Sequence, residues 1–304
     1  MPSSAPLDAP LAPAASAEDP PPQDGWPGGL GELRTELDRI DDALHDLLMR
    51  RARVVEQVAK SGKRSAYRPG REASIIRRLL RQHSGELPPQ TLVRIWRELL
   101  AGTTAMQGPF TVAVCEPIGA AAFTQAAREH FGALTPLRAY GSPAQAMAEV
   151  SRGAAAVAVL PVPSETDTAR DAWWTALLQK DEPRVHVVAR LPFWALRPDG
   201  APTVQALVIA TIEPDASGYD RSLLGLELDL DVSRARLTAA LTAAGLPPGT
   251  VILRRDQGAP VAHALAEIDG FLTDDDPRLA GLDAVLRRPV VLGAYAIPEA
   301  GAAA

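Results

Sequence analysis

Residues 33–60 read LRTELDRIDDALHDLLMRRARVVEQVAK, and their apolar members recur at Leu33, Leu37, Ile40, Leu44 and Leu47, then at Val54 and Val58. Steps of three and four place these side chains along one face of a helix. The step after Leu47 falls on Arg51, a permanent cation on a face built for burial. A guanidinium keeps its charge at any working pH and is prohibitively costly to bury alone. Arg51 therefore snorkels to water, pairs with an acid, or faces a polar cavity meant for an anion. The helix is also too long to bury its stripe by itself, so partner helices or a second chain must cover it.

The whole chain, 304 residues, is long enough for two or three domains. Aromatic residues make up only 5%, so its cores must be built from Ala, Leu and Val. One cysteine, Cys115, excludes a disulfide framework and a cysteine-based zinc site. A net charge of −6 argues against nucleic acid as a partner, and no stretch has the apolar length of a membrane span. The charge is uneven: residues 30–107 hold 15 Lys/Arg against 10 Asp/Glu, a basic segment suited to a small anionic ligand. Residues 1–29, rich in Pro, Ala and Ser, lack the basic start and apolar run of a signal peptide and read as a disordered leader. A cytoplasmic protein is expected.

Three segments follow the leader, giving a multidomain chain. Residues 30–107 read as all helix: the long helix to about Lys60, a second from Arg71 to Gln82, and a third from Pro89 to Met106. The third carries Leu92, Ile95, Trp96, Leu99 and Leu100 on one face, and its stripe continues into the polar residues Thr103 and Gln107. Thr103 can be read as back-bonding to its own helix, and Gln107 as an exposed helix end. Polar interruptions on two helices that face each other suggest a shared polar pocket. Residues 109–213 alternate short β-branched strands with helices, an α/β layer. Residues 220–298 read strand, helix, strand, strand, helix, strand, the α+β ferredoxin-like split βαβ order.

Within 30–107, LRTELD, the long helix with LLMRR, YRPGRE, and the Thr and Gln one turn apart at the end together resemble the all-helical class of chorismate mutases. These include the ones fused to prephenate dehydratase. The resemblance implies three helices in an intertwined homodimer, chorismate as the substrate, and no cofactor or metal. It implies that Arg51 holds one substrate carboxylate and that Arg34 reaches across the dimer into the partner's site. Glu72 contacts the substrate hydroxyl, Thr103 helps hold a carboxylate, and Gln107 hydrogen-bonds the ether oxygen. A lysine belongs a fixed distance after Arg51, where direct counting gives Gly62. A one-residue insertion brings Lys63 into register, the favoured residue, with Lys60 as the alternative. Ile75 and Ile76 stand where the family carries a polar pair.

The implied reaction is an intramolecular Claisen rearrangement, which needs no base, nucleophile or metal. It needs a dicarboxylate held in a compact, near-attack conformer and fixed donors for the charge that develops on the breaking C–O bond. Arginine forks suit the carboxylates, and a lysine with Gln107 suits the ether oxygen.

The segment VAVCEPIGAAAFTQAAREHFG and the later AAAVAVLPVPSETD resemble the opening of prephenate dehydratase, a periplasmic-binding-protein-like fold. The departures fall on functional positions: Pro163-Ser164-Glu165 and Val204-Gln205-Ala206 replace that family's motifs. Only about a dozen residues separate ARLPF from VQALVIA, too few for a second lobe. A single, inactive lobe is expected. The last segment resembles an ACT domain in element order but lacks its recognisable ligand signatures, so a dimerisation or packing role is expected ahead of amino-acid sensing. The five histidines, His45, His83, His130, His186 and His263, have no metal-ligand spacing.

Overall fold

The computed structural model describes residues 29–61, 65–117, 121–197, 199–282, 287 and 289–300, so the expected leader falls almost wholly outside them. The chain divides into two compact units with the boundary between Val58 and Ala59. The first contains the described helix α1 (Leu30–Lys60) up to that boundary. No residue of α1 is buried. Its apolar stripe lies bare, with Leu37 and Leu47 each 60% exposed and Ile40, Leu44 and Val54 close behind.

The second unit begins with the end of α1 and holds α2 (Pro69–Gln82) and α3 (Pro89–Ala105). Each helix starts with a proline in its first turn, where the missing N–H costs nothing. Nine strands and three helices follow among the described residues: β1 (Val112–Cys115), α4 (Ala122–Phe131), β2 (Leu137–Tyr140), α5 (Pro143–Ser151), β3 (Val157–Pro161), β4 (His186–Leu191), β5 (Ala206–Ala210), β6 (Asp220–Leu228), α6 (Arg234–Ala243), β7 (Pro248–Arg254), β8 (Ala262–Asp269) and β9 (Val290–Ala296). Serine side chains cap two helices, Ser142 on α5 and Ser233 on α6, each accepting a backbone N–H. The sequence reading missed β2, a four-residue strand whose middle two residues, Arg138 and Ala139, are exposed, and the 3-10 turn Trp173–Gln179. The expected last helix is a 3-10 turn over Pro277–Leu282 within the described residues.

All nine strands form one sheet in the order β2-β1-β3-β5-β4-β9-β6-β8-β7. β1 runs parallel to β2 and β3, while β5 is antiparallel to β3 and β4. The last four strands are antiparallel throughout, and α6 carries the chain from β6 past β8 to β7, the expected split βαβ. β4 and β5 are joined by residues 192–205 without a helix or strand among those described.

The two sequence segments meet edge to edge where β4 and β9 pair in parallel at Val187 and Gly293. Gly293 has φ +139°, and a Cβ there would lie 2.1 Å from the Val187 carbonyl oxygen, so only glycine fits. One apolar cluster spans the seam, with Trp174, Leu207 and Ile209 on one side and Leu223, Leu265 and Leu292 on the other. Burial of that seam turns what the sequence divides into a single packed body.

Helices α2 and α3 pack onto the same body through Ala73, Ile76, Val93 and Leu100 against Phe193 and Ala296. Two polar anchors fix α2. The Asp215 carboxylate accepts the backbone N–H of Gly70 (2.9 Å) and Arg71 (3.1 Å), satisfying first-turn donors that a helix leaves open. A Cβ on Gly70 would lie 2.0 Å from the Asp215 carbonyl oxygen, so the approach requires glycine. The buried Arg77 donates to Glu299 (2.6 Å), Ser217 Oγ (2.7 Å) and the carbonyls of Tyr219 and Ile297, with the Phe193 and Tyr219 rings beside it. Among the described residues no helix is long and apolar enough to cross a membrane.

Candidate functional site

The candidate residues divide between the two units. Arg34 and Arg51 lie on α1, Arg34 exposed and Arg51 half-buried at the interruption of the stripe. Lys63, with Gly62, lies outside the described residues; Lys60, the alternative lysine, is the last residue of α1 and exposed. Glu72, Thr103 and Gln107 belong to the second unit.

Thr103 and Gln107 are brought together at the end of α3. The buried Thr103 hydroxyl donates to the carbonyls of Leu99 (2.9 Å) and Leu100 (3.1 Å). The Gln107 side-chain amide donates in turn to the Thr103 carbonyl (3.0 Å). The back-bonding foreseen as one reading of Thr103 is therefore the geometry found, and it holds both groups at one spot on the helix. An amide that donates only to a helix carbonyl can exchange that bond for one to a ligand oxygen.

Glu72 sits in the first turn of α2, where the helix dipole favours an acid. It is buried and accepts a hydrogen bond from Arg97 Nη1 at 3.1 Å, with the two side chains only 11% and 5% exposed. Burial lowers the Arg97 guanidinium from its usual value, opposed by the attraction of Glu72, and it remains the cation of the pair. Its guanidinium also lies 5.0 Å from the Phe193 ring centre. His130 Nε2 lies 3.5 Å from Arg97 Nη1. Since arginine only donates, that nitrogen accepts, leaving the ring proton on Nδ1. Burial and then the Arg97 charge hold the imidazole well below its ordinary pKa, so His130 is neutral.

Arg97 and His130 were missed by the sequence reading. A signal for Arg97 was present: Val93, Arg97, Leu100 and Thr104 step by four, three and four, the same kind of interrupted stripe that singled out Arg51. All four are buried, with Thr103 beside them, whereas Ile95, placed on the core face by the pattern of Leu92, Trp96 and Leu99, is 49% exposed. The helix carries two apolar faces about 100° apart, and periodicity alone does not rank them.

In the lobe, the residues that depart from the dehydratase pattern are engaged locally. Gln205 Oε1 accepts from Arg190 (2.6 Å), and Ser164 Oγ pairs with Thr166 Oγ1 (2.9 Å).

Comparison with known proteins assigns the helical segment. Residues 33–108 match the family described as chorismate mutase type II. The bifunctional chorismate mutase/prephenate dehydratase of Pseudomonas aeruginosa is 32% identical over 164 residues, covering 50% of this chain and 44% of that protein. The protein of the same description from Stutzerimonas stutzeri is 30% identical over 161 residues with the same coverage. That from Neisseria gonorrhoeae is 36% identical over 101 residues, covering 33% and 27%. The chain thus spans less than half the length of these curated relatives. Among solved structures, the prephenate dehydratase from Arthrobacter aurescens in complex with L-Phe superposes with a TM-score of 0.46 at 14% identity, covering 64% of this chain and 92% of that one. The quorum-quenching acylase GqqA superposes with a TM-score of 0.46 at 17% identity, covering 62% and 96%. Scores of this size carry no functional argument. Residues 33–108 thus match the chorismate mutase type II family, and about half of the chain is similar to part of the bifunctional chorismate mutase/prephenate dehydratases.

Proposed function

We propose that this chain rearranges chorismate to prephenate, as a homodimer acting in the cytoplasm on the way to phenylalanine and tyrosine. The observation that carries the reading is the family match over residues 33–108, which contains every candidate site residue. In this reading Arg51 and Arg34, the latter from the second copy, hold the two carboxylates with their donor forks, and Thr103 supports one of them. Glu72 meets the ring hydroxyl. Lys63, or Lys60 in its place, and Gln107 donate to the ether oxygen as the C–O bond breaks. The reaction moves no proton between protein and substrate, so the residues work by holding the chair-like conformer and stabilising the developing charge.

The dimer rests on α1. Its 31 residues extend roughly 46 Å at helical rise, with apolar side chains exposed along the whole stripe. A bare stripe of that length is unstable in water unless a second surface covers it, and a second copy offers an equally long one.

The short connection between β4 and β5, residues 192–205, speaks against the bifunctional reading with dehydratase activity as well, because it has no room for a second lobe. The ACT-like C-terminal unit is then a packing module, consistent with the core it shares with the lobe. The test is conversion of chorismate by the intact chain and by Arg51→Ala and Gln107→Ala. Both variants should lose at least a hundredfold in kcat/KM with helicity intact. Full activity in either removes that residue from the site; chorismate binding without turnover in the wild type points instead to a non-catalytic sensor.

A further inference from the structure

Helix α2 begins without a cap of its own. Its N-cap residue is Arg68, whose side chain has no acceptor and makes no capping hydrogen bond. The cap comes instead from 145 residues along the chain. One oxygen of the Asp215 carboxylate accepts the Gly70 N–H at 2.9 Å, and the other accepts the Arg71 N–H at 3.1 Å. The second oxygen also accepts from the Arg68 guanidinium, at 3.1 Å to Nη2 and 3.2 Å to Nε. Asp215 thereby holds the residues that lead into Glu72, whose own N–H makes the helical bond to the Arg68 carbonyl at 2.9 Å.

The capping carboxylate stands on a shelf tied to the sheet. Residues 211–219 connect β5 to β6. The buried Asp220 carboxylate, at the start of β6, accepts the N–H groups of Ser217 (2.9 Å) and Gly218 (3.0 Å) together with the Ser217 hydroxyl. Ser217 then meets α2 again: its carbonyl accepts from Ser74 Oγ at 3.2 Å and its Oγ from Arg77 Nη1 at 2.7 Å. Gly70, Ser74 and Arg77 step by four and three, so one face of α2 follows this shelf.

Asp215 lies outside the family match, which ends at residue 108. The connection between the lobe and the C-terminal unit thus does for the helical segment what an N-cap does within one: it fixes where the first turn begins and which way its side chains leave it.

We propose that Asp215 is a positioning residue for the rearrangement of chorismate: by capping α2 it sets the turn from which Glu72 reaches the substrate hydroxyl. The proposal rests on the reading above, in which Glu72 meets that hydroxyl. It gives the α/β body a part in the mutase reaction, although none of the candidate groups that touch substrate belongs to that body. The hydroxyl does not react, so a contact to it is made in the ground state and the transition state alike. Misplacing Glu72 therefore shows in KM rather than in kcat.

The test measures chorismate kinetics and thermal unfolding of the full-length chain and its variants. Asp215→Ala raises KM about five- to tenfold and keeps kcat within about twofold of wild type. Asp215→Asn keeps one acceptor for the two N–H groups and raises KM about two- to threefold, which decides the matter if the alanine variant does not fold. In Glu72→Asp, whose shorter side chain already misplaces the carboxylate, adding Asp215→Ala changes KM by less than about twofold. Ser233→Ala removes the cap of α6; it lowers the melting temperature as Asp215→Ala does and leaves KM unchanged. An unchanged KM in both Asp215 variants, a full further rise on top of Glu72→Asp, or an equal rise in Ser233→Ala overturns the proposal, while the wild-type activity and the reading of residues 33–108 stand. A wild type that leaves chorismate unchanged overturns both.

Discussion

Replacing Arg97 by Met tests the buried ion pair that joins α2 to α3 at the candidate residue Glu72. The Arg97–Glu72 contact is 3.1 Å long, with side chains 5% and 11% exposed. At that distance and an effective dielectric near 20, the attraction is about 5 kcal/mol, and desolvation of both ions offsets much of it. Removing only the arginine leaves a buried carboxylate beside the space it vacated. The expected cost is about 3–5 kcal/mol. Removing both, as Glu72→Met with Arg97→Met, replaces the pair by apolar volume and should cost less than about 1 kcal/mol. The double variant should therefore be at least about 2 kcal/mol more stable than Arg97→Met alone. In thermal unfolding followed by circular dichroism, the single variant should melt roughly 6–20 °C below wild type and the double variant near it. Additive losses, or a single variant within about 1 kcal/mol of wild type, would show that the pair is solvated and that Glu72 is not held as described.

Three further perturbations probe separate parts. The His130 imidazole is held below its ordinary pKa of 6.5 in the fold, so the unfolded chain binds the proton first as pH falls; its contribution is complete above pH 6.5 and is lost below it at up to about 1.4 kcal/mol per pH unit. Urea titrations from pH 7.5 to 5 should show this slope in the wild type and a shallower one in His130→Gln. Gly293→Ala forces a Cβ against the Val187 carbonyl at a φ of +139°, and should cost at least about 2 kcal/mol in urea unfolding by separating β4 from β9. Arg77→Met removes a buried cation from Glu299 and two carbonyls, and should destabilise by about 3 kcal/mol and speed amide exchange in both α2 and β9.

Much of this arrangement can be read in the chain. Helical spacing from Leu30 to Val58 defines α1 and picks out Arg51, and the strand–helix order of residues 220–298 is the split βαβ that forms. Periodicity reports which residues share a face, but not which of two faces is buried; hence α3 buries Val93, Arg97 and Leu100 and exposes Ile95. Long-range partners are equally invisible. Nothing local to RPGRE announces that Asp215, far along the chain, accepts its backbone N–H groups. Nor does the short β9 segment reveal that Gly293 will pair with Val187 and fuse two segments into one sheet. A strand of four residues such as β2, paired only with β1 at the sheet edge, offers too little pattern to separate from a loop.

The central claim is that residues 33–108 work as a chorismate mutase within this chain. Incubation of the purified full-length protein with chorismate at neutral pH, with products identified by NMR, tests it directly. The account predicts enzyme-dependent prephenate without enzyme-dependent phenylpyruvate. Chorismate recovered unchanged contradicts the claim, and phenylpyruvate formed at the enzyme's pace contradicts the reading of the single lobe as inactive.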